Sequence, residues 1–296
     1  MRVTLLGTGC PVVDVHRYGP AALIEGAGDS DTAWLVDCGS GVTQRLLAHG
    51  RSGAALSGLL LTHLHSDHTV DLMQLLISGW HQGRTAPLRV FGPRGTRDFL
   101  SSIRAAWQPE LEQRMTHELR QPEGLALDIT EIAEGWQLTE QGLRISCTEV
   151  RHQPVPQAFA FRFDALDFNT IDGPKQGASA VISGDTAYSP ELIALAQGCD
   201  LLVHEAFVHW AFEATRKHLP QATRDNVSGY HTLTSEVGQV ATQAGAGHLA
   251  LTHFVPPEFD QARVLAEVQA HYSGPISIGE DLMSFAVTQG HTRLLP

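Results

Sequence analysis

Thr62-His63-Leu64-His65-Ser66-Asp67-His68 is the stretch on which the reading of this chain turns. It follows the short apolar run Leu59 to Leu61, which reads as a buried strand that stops where the histidines begin. From a loop at a strand end, side chains converge on one point instead of alternating across a sheet. Three His and an Asp within six residues would be costly to bury without partners. Their mixture of imidazole and carboxylate suits zinc, or iron and manganese where carboxylate is richer. With sixteen His and sixteen Asp in 296 residues, H-x-H-x-D-H is expected by chance roughly 0.002 times in the chain. The motif points to a metal centre.

The composition around it belongs to a globular protein: 43% of residues are hydrophobic and 18% charged. Twenty Lys and Arg against 32 Asp and Glu leave a formal charge of −12, which counts against a sequence-reading nucleic-acid binder with a net basic footprint. Cys10, Cys38, Cys147 and Cys199 form no CxxC pair, so the expectation is free thiols in a reducing cytoplasm. Met1 to Cys10 lacks the long apolar core of a signal peptide, and no apolar run approaches the ~18 residues of a membrane span.

Further apolar runs recur at Val3 to Leu6, Trp34 to Val36, Leu88 to Phe91, Ala180 to Ile182, Leu201 to Val203 and Leu249 to Leu251, and read as buried strands. Helical spacing separates several of them: Leu72, Leu75, Leu76 and Gly79; Phe99, Ile103 and Trp107; Leu192, Leu195 and Ala196; Val237, Val240 and Ala241. The pattern is α/β layering, with helices covering sheets. Phe159, Phe161 and Phe163 alternate in a hairpin expected from Ala158 to Ile182, turning within Ile171 to Gly177. No linker divides the chain, so residues 1–296 are read as one domain. Leu59-Leu60-Leu61-Thr62-His63 and Leu249-Ala250-Leu251-Thr252-His253 hint at a duplication, each placing a His just past a strand.

Other strand ends carry further candidate ligands. His152 follows Thr148 to Arg151, Asp185 sits in Ser183-Gly184-Asp185-Thr186, and His253 ends Leu249 to Thr252. Singly these are ordinary, since a Gly-Asp-Thr is most often a turn. Beside the first motif they complete the inventory of a two-metal site, with Asp185 able to bridge two cations.

On these residues the chain resembles the metallo-β-lactamase superfamily, and within it the tRNase Z branch and its arylsulfatase-like relatives. The likeness runs through Leu5 to Gly9, Val36 to Gly41 with Gln44 and Arg45, Thr62 to His68, Val90 to Gly95, Ser183 to Thr186, His204-Glu205-Ala206-Phe207, His231-Thr232 and Leu251 to Phe254. It implies an αββα sandwich with a dinuclear site at one edge. In that scheme His63, His65 and His152 hold one metal, Asp67, His68 and His253 the other, and Asp185 bridges. The metals implied are two divalent cations, Zn2+ first, with Mn2+ or Fe2+ as alternatives. The resemblance also pairs Glu205 with His231. The competing readings are a zinc-protease helix for His204-Glu205, which the five-residue spacing to His209 does not support, and a helix entry at His231, with Thr232 or Thr234 as the cap.

The chemistry that follows is hydrolysis by a metal-bridging hydroxide, because two nearby cations lower the pKa of a shared water and stabilise attacking and leaving oxygens. Asp67 would orient the nucleophile, and His231, kept protonated by Glu205, would protonate the leaving oxygen. The substrate expected is an anionic ester, foremost a phosphodiester. Arg84, Arg89, Arg94, Arg97 and Arg104 against the single acid Asp98 make a basic stretch that could meet phosphate or could be a solvated helix face. RNA is disfavoured by the acidic balance, by the 33 positions from His152 to Asp185, too few for the basic arm the resemblance leads one to seek there, and by Phe207 where Thr is usual. The runner-up is a small-molecule hydrolase of an aryl sulfate, lactone or other cyclic ester, a β-lactam less so. A metal-bound sensor without turnover is a third class. His65 stands where flavodiiron proteins carry Glu, which counts against redox chemistry. A homodimer is possible, and Trp80, Trp107, Trp210 and Phe207 are either pocket mouth or core.

Overall fold

A computed structural model of the protein describes residues 1–26, 31–167 and 175–296. The chain first lays down β1 (Arg2–Gly7), β2 (Ala21–Glu25), β3 (Ala33–Val36), β4 (Gly58–Leu60), β5 (Leu88–Gly92) and β6 (Leu127–Glu131). It then builds β7 (Gln137–Glu140), β8 (Leu143–Glu149), β9 (Phe159–Asp167), β10 (Lys175–Ile182), β11 (Leu201–Phe207), β12 (Leu249–Val255) and β13 (Ile276–Ile278). Finally β14 (Ser284–Thr288) and β15 (His291–Leu294) return to the first group. The result is two mixed sheets, ordered β15-β14-β1-β2-β3-β4-β5-β6 and β13-β12-β11-β10-β9-β8-β7.

Helices α1 (Val42–Ala48), α2 (Ser66–Thr69), α3 (Leu72–His81) and α4 (Thr96–His117) follow strands of the first sheet. Helices α5 (Pro190–Leu195), α6 (His209–Thr215), α7 (Gln221–Ser228), α8 (Thr234–Ala244) and α9 (Gln261–Gln269) belong to the second half. Apolar side chains fall into three main layers. Val3, Val36, Ile145, Phe161 and Val203 meet between the sheets; Leu35, Val42, Leu59 and Leu75 lie under the helices of the first sheet; Val181, Leu202, Val240 and Val264 lie under those of the second. Strands covered on both faces become continuous apolar runs, which is why Ala33–Val36 and Leu201–Phe207 are buried at every position. This is the αββα sandwich. Among the described residues no helix is long and apolar enough to cross a membrane.

The apolar runs and helical spacings read from sequence all fall within or at the ends of these elements. Phe159, Phe161 and Phe163 point into the layer between the sheets, and β9 pairs with β10 through Phe161 and Ile182 and through Phe163 and Ala180. The turn of that hairpin, expected within Ile171 to Gly177, lies largely outside the described residues. Two local expectations change. His253 does not follow its strand: it sits inside β12 at a register irregularity, with φ +46°. The bulge re-aims its side chain, so the apparent repeat of Leu59–His63 and Leu249–His253 is delivered by different backbone devices. Neither Thr232 nor Thr234 caps α8; their hydroxyls bond Thr186 O and Glu267, and Glu236 takes the Leu233 N–H instead.

Candidate active site

The first sheet supplies one wall of the site from the ends of β3 and β4. Asp37, just past β3, adopts a left-handed φ of +60° that turns its carboxylate back over the next loop. There Oδ1 accepts the Thr62 N–H at 2.8 Å, and Oδ2 accepts the Thr62 hydroxyl and His68 Nδ1, both at 2.8 Å. Thr62 Oγ1 also lies 3.0 Å from His63 Nδ1. The short helix α2 then presents Asp67 and His68 inward, both buried.

The second sheet supplies the other wall. His152 follows β8, and its Nδ1 donates to the Tyr230 carbonyl at 2.8 Å, which leaves Nε2 to face His65 Nδ1 at 3.2 Å. Gly184, at φ +59°, turns the chain beyond β10; a Cβ there would lie 2.7 Å from the Phe159 carbonyl, so glycine is what lets Asp185 enter. The Asp185 carboxylate is central. Its Oδ2 lies 3.9 Å from His63 Nε2, 3.9 Å from His152 Nε2 and 3.4 Å from His253 Nε2, and its Oδ1 lies 3.3 Å from His68 Nε2. His253 Nε2 is 3.2 Å from both His68 Nε2 and Asp67 Oδ2.

All seven proposed ligands therefore meet. Potential ligand atoms of His63, His65, His152 and Asp185 lie within 4.8 Å of one another, as do those of Asp67, His68 and His253. The donor chemistry fits two cations. Among the described residues the buried His63 Nε2 has no hydrogen-bond partner and Asp185 Oδ1 meets only His68 Nε2, at 3.3 Å, which is costly unless something positive binds them. Asp37, the Thr62 hydroxyl and the Tyr230 carbonyl engage Nδ1 of His68, His63 and His152, so that Nε2 of each is turned into the cage. Burial pushes the His63 imidazole well below its ordinary range and pushes His152 down too. Burial works the same way at His253, but Asp185 and Asp67 overcome it and raise that ring to about 9. The carboxylates demand positive charge here.

Beside the cage, Glu205 on β11 is fully buried, and its Oε2 and Oε1 lie 2.8 and 3.0 Å from His231 Nδ1. The Thr186 N–H also donates to Glu205 Oε1, at 2.6 Å. His231 brings a ring nitrogen within 4.8 Å of ligand atoms on Asp185 and His253. Phe207 stacks on the His231 ring, 5.6 Å away and 7° from parallel.

Asp37, Thr62 and Tyr230 were not singled out from sequence. Asp37 had a readable signal, a carboxylate directly after the apolar run Trp34 to Val36; the roles of Thr62 and the Tyr230 carbonyl depend on contacts that only folding creates. Of the aromatics, Phe207 is at the site, Trp80 is in the α3 core, Trp210 lies under Arg263, and Trp107 is 47% exposed on α4. The Arg84 to Arg104 stretch is not one phosphate-binding face. Arg84 is buried and donates to the carbonyls of Gly124, Gly53 and Leu76, Arg89 pairs with Glu140 at 2.7 Å, and Arg97 bonds the Ile129 carbonyl.

A His and Asp cage between the strand ends of an αββα sandwich defines a class of metal-dependent hydrolases. Residues 32–254 match the family described as beta-lactamase superfamily domain, and the chain belongs to that superfamily. Its relatives include the Ribonuclease Z of Mycobacterium sp. (strain KMS), 36% identical over 294 residues, with 98% of this chain and 97% of that protein covered. The fold is shared with the metallo-β-lactamase fold protein YhfI from Bacillus subtilis, at TM-score 0.69 and 22% identity over 96% of this chain and 99% of that one. It is shared equally with the short form of human tRNase Z, at TM-score 0.67 and 22% identity over 97% and 99%.

Proposed function

We propose that the protein is a dinuclear phosphodiesterase of the ribonuclease Z type, with residues 1–296 acting as one domain. The observation that carries this reading is the buried Glu205–His231 pair at 2.8 Å beside the seven-ligand cage. His63, His65 and His152 would hold one divalent cation, Asp67, His68 and His253 the second, and Asp185 would bridge them. Zn2+ suits the His-rich donor set best, with Mn2+ or Fe2+ as alternatives. When bound, the cations would supply Lewis acidity and lower the pKa of a shared water.

The chain's own residues do the rest. Asp67 would orient the attacking water toward phosphorus. Glu205 fixes His231 through Nδ1, so Nε2 is the nitrogen free to pass a proton to the leaving oxygen. Glu205 is fully buried, which strengthens the hold of its carboxylate on the imidazole. The near full-length kinship with ribonucleases Z favours an RNA substrate. The four buried free thiols agree with a cytoplasmic setting, and a homodimer is compatible with the chain.

A second reading, a small anionic ester as substrate, is favoured by the 33 positions between His152 and Asp185 and by the charge of −12. The deciding experiment is a parallel assay of the zinc-loaded protein on precursor tRNA, bis-aryl phosphate and aryl sulfate. Cleavage of the first two is expected. Turnover of aryl sulfate alone overturns the phosphodiesterase reading.

A further inference from the structure

Where Asp185 leaves the second sheet, a gap opens beside Glu205. β10 and β11 pair in parallel as far as Ile182 and Val203, and the Ser183 N–H adds one more bond to the Val203 carbonyl at 2.9 Å. In a parallel ladder the next rungs would join the Glu205 N–H to the Ser183 carbonyl and the Asp185 N–H to the Glu205 carbonyl. Gly184, in the left-handed region, turns the chain into the cage before those rungs form. Pairing on this edge of β11 resumes at Phe207, whose N–H donates to the Thr232 carbonyl at 2.9 Å. Residues two apart present their main-chain groups to the same edge, so the N–H and carbonyl of the fully buried Glu205 face the gap.

Two side chains fill it. The Glu205 N–H donates to Ser183 Oγ at 3.0 Å, and His204 Nδ1 donates to the Glu205 carbonyl at 2.7 Å. A carbonyl only accepts, so the imidazole proton sits on Nδ1. Burial, opposed by that hydrogen bond, lowers the fully buried His204 ring to about 4. The ring is therefore neutral at working pH and carries one proton. Its Nε2 has no partner among the described residues, and His204 lies outside the ligand groups of the cage. A half-satisfied buried imidazole is a costly way to fill space, and an apolar side chain would fill it better. What the imidazole adds is the donor.

We propose that His204, assisted by Ser183, is the positioning residue of the Glu205–His231 pair, standing in for the strand that is lost where Asp185 turns into the cage. The inference rests on the phosphodiesterase reading for its consequence in turnover, and on the backbone geometry alone for its effect on the pair. Glu205 presents its carboxylate to His231 Nδ1 only while its main chain stays in line with β11, and on this edge no neighbouring strand holds it there. A displacement of about 1 Å in such a group is able to cost on the order of 100-fold in rate. The bridging ligand and the proton-handling pair are thus coupled through one sheet edge.

The test sets donor against volume. His204→Asn keeps an N–H donor near the Nδ1 position and gives up bulk, whereas His204→Phe keeps the bulk and has no donor. In the zinc-loaded protein, proton NMR reads the His231 Nδ1–H held by Glu205 as a low-field resonance, and kcat on bis-aryl phosphate reads its use. The His204→Phe variant should lose that resonance or show it upfield, with kcat lowered about 10- to 100-fold at unchanged KM and zinc content. The His204→Asn variant should keep the resonance and stay within about threefold of the parent in kcat. Ser183→Ala, a small change that should fold, is expected to shift the resonance in the same direction as His204→Phe. The opposite order, with His204→Phe like the parent and His204→Asn impaired, makes His204 a space filler and overturns the proposal. So does a resonance unchanged in both His204→Phe and Ser183→Ala; should His204→Phe fail to fold, an unchanged resonance in Ser183→Ala suffices. Turnover indifferent to His204→Phe sinks this inference alone, while resonances in the expected order without phosphodiester turnover sink the phosphodiesterase reading alone.

Discussion

Asp37 accepts His68 Nδ1 at 2.8 Å while holding the Thr62 N–H and hydroxyl at the same distance, so one carboxylate ties β3, the loop after β4 and a cage imidazole together. A carboxylate cannot donate, so the shared proton lies on His68 Nδ1, the tautomer in which Nε2 would be available to a cation. Asp37→Asn keeps the shape and loses the charge that holds this tautomer. Zinc affinity, read by competition with a chromophoric chelator, should fall by about 10- to 100-fold. An unchanged affinity would show that Asp37 serves the loop alone.

Glu205 has no place among the seven ligands, which separates its role from metal binding. Glu205→Gln should leave the metal content of the parent unchanged and lower kcat on a phosphodiester by about 100-fold or more, because His231 loses the carboxylate that fixes its ring through Nδ1. Metal analysis alongside turnover checks both halves. Loss of zinc together with activity would place Glu205 in the cage's support instead.

Far from the site, Glu25 on β2 lies 3.0 Å from His49 Nε2 and 2.8 Å from Arg51 Nε. The His49 hydrogen bond, opposed by burial and reinforced by Arg51, holds the carboxyl down at about 2. A folded pKa below the unfolded one means that the stabilisation is complete above the unfolded carboxylate range and is lost as pH falls through the folded value. Glu25→Gln should therefore melt below the parent at neutral pH, and the gap should close between about pH 5 and pH 2. Thermal melts across that window decide it; a gap independent of pH contradicts the assignment.

Burial raises the thiols of Cys10 to about 11 and of Cys147 and Cys199 to about 12, and pushes Cys38 well above its ordinary value. Thiolate is the reactive form. Iodoacetamide at pH 8 should modify none of the four in the folded protein and all four after unfolding, as counted by mass spectrometry. Rapid labelling of any one in the native state would mean that its helix or strand opens.

The amino-acid sequence by itself determined the layered α/β class and the cage. Apolar runs ending in His or Asp are a local signal, since burial on both faces of a strand leaves nothing polar until the chain emerges. His63, His65, Asp67 and His68 follow one such end within six residues, and no tertiary knowledge is needed to see them. Other features were decided only by the tertiary structure. His253 reaches the cage through a bulge inside β12, and bulges have no fixed sequence pattern. Asp37 and the Tyr230 carbonyl set imidazole orientations across 31 and 78 positions of chain. The basic stretch dispersed because Arg84 and Arg97 spend their donors on carbonyls that lie close only after folding. Periodicity and motif spacing report what a residue does for its own element, whereas the pairing of distant groups depends on which surfaces the two sheets bring together.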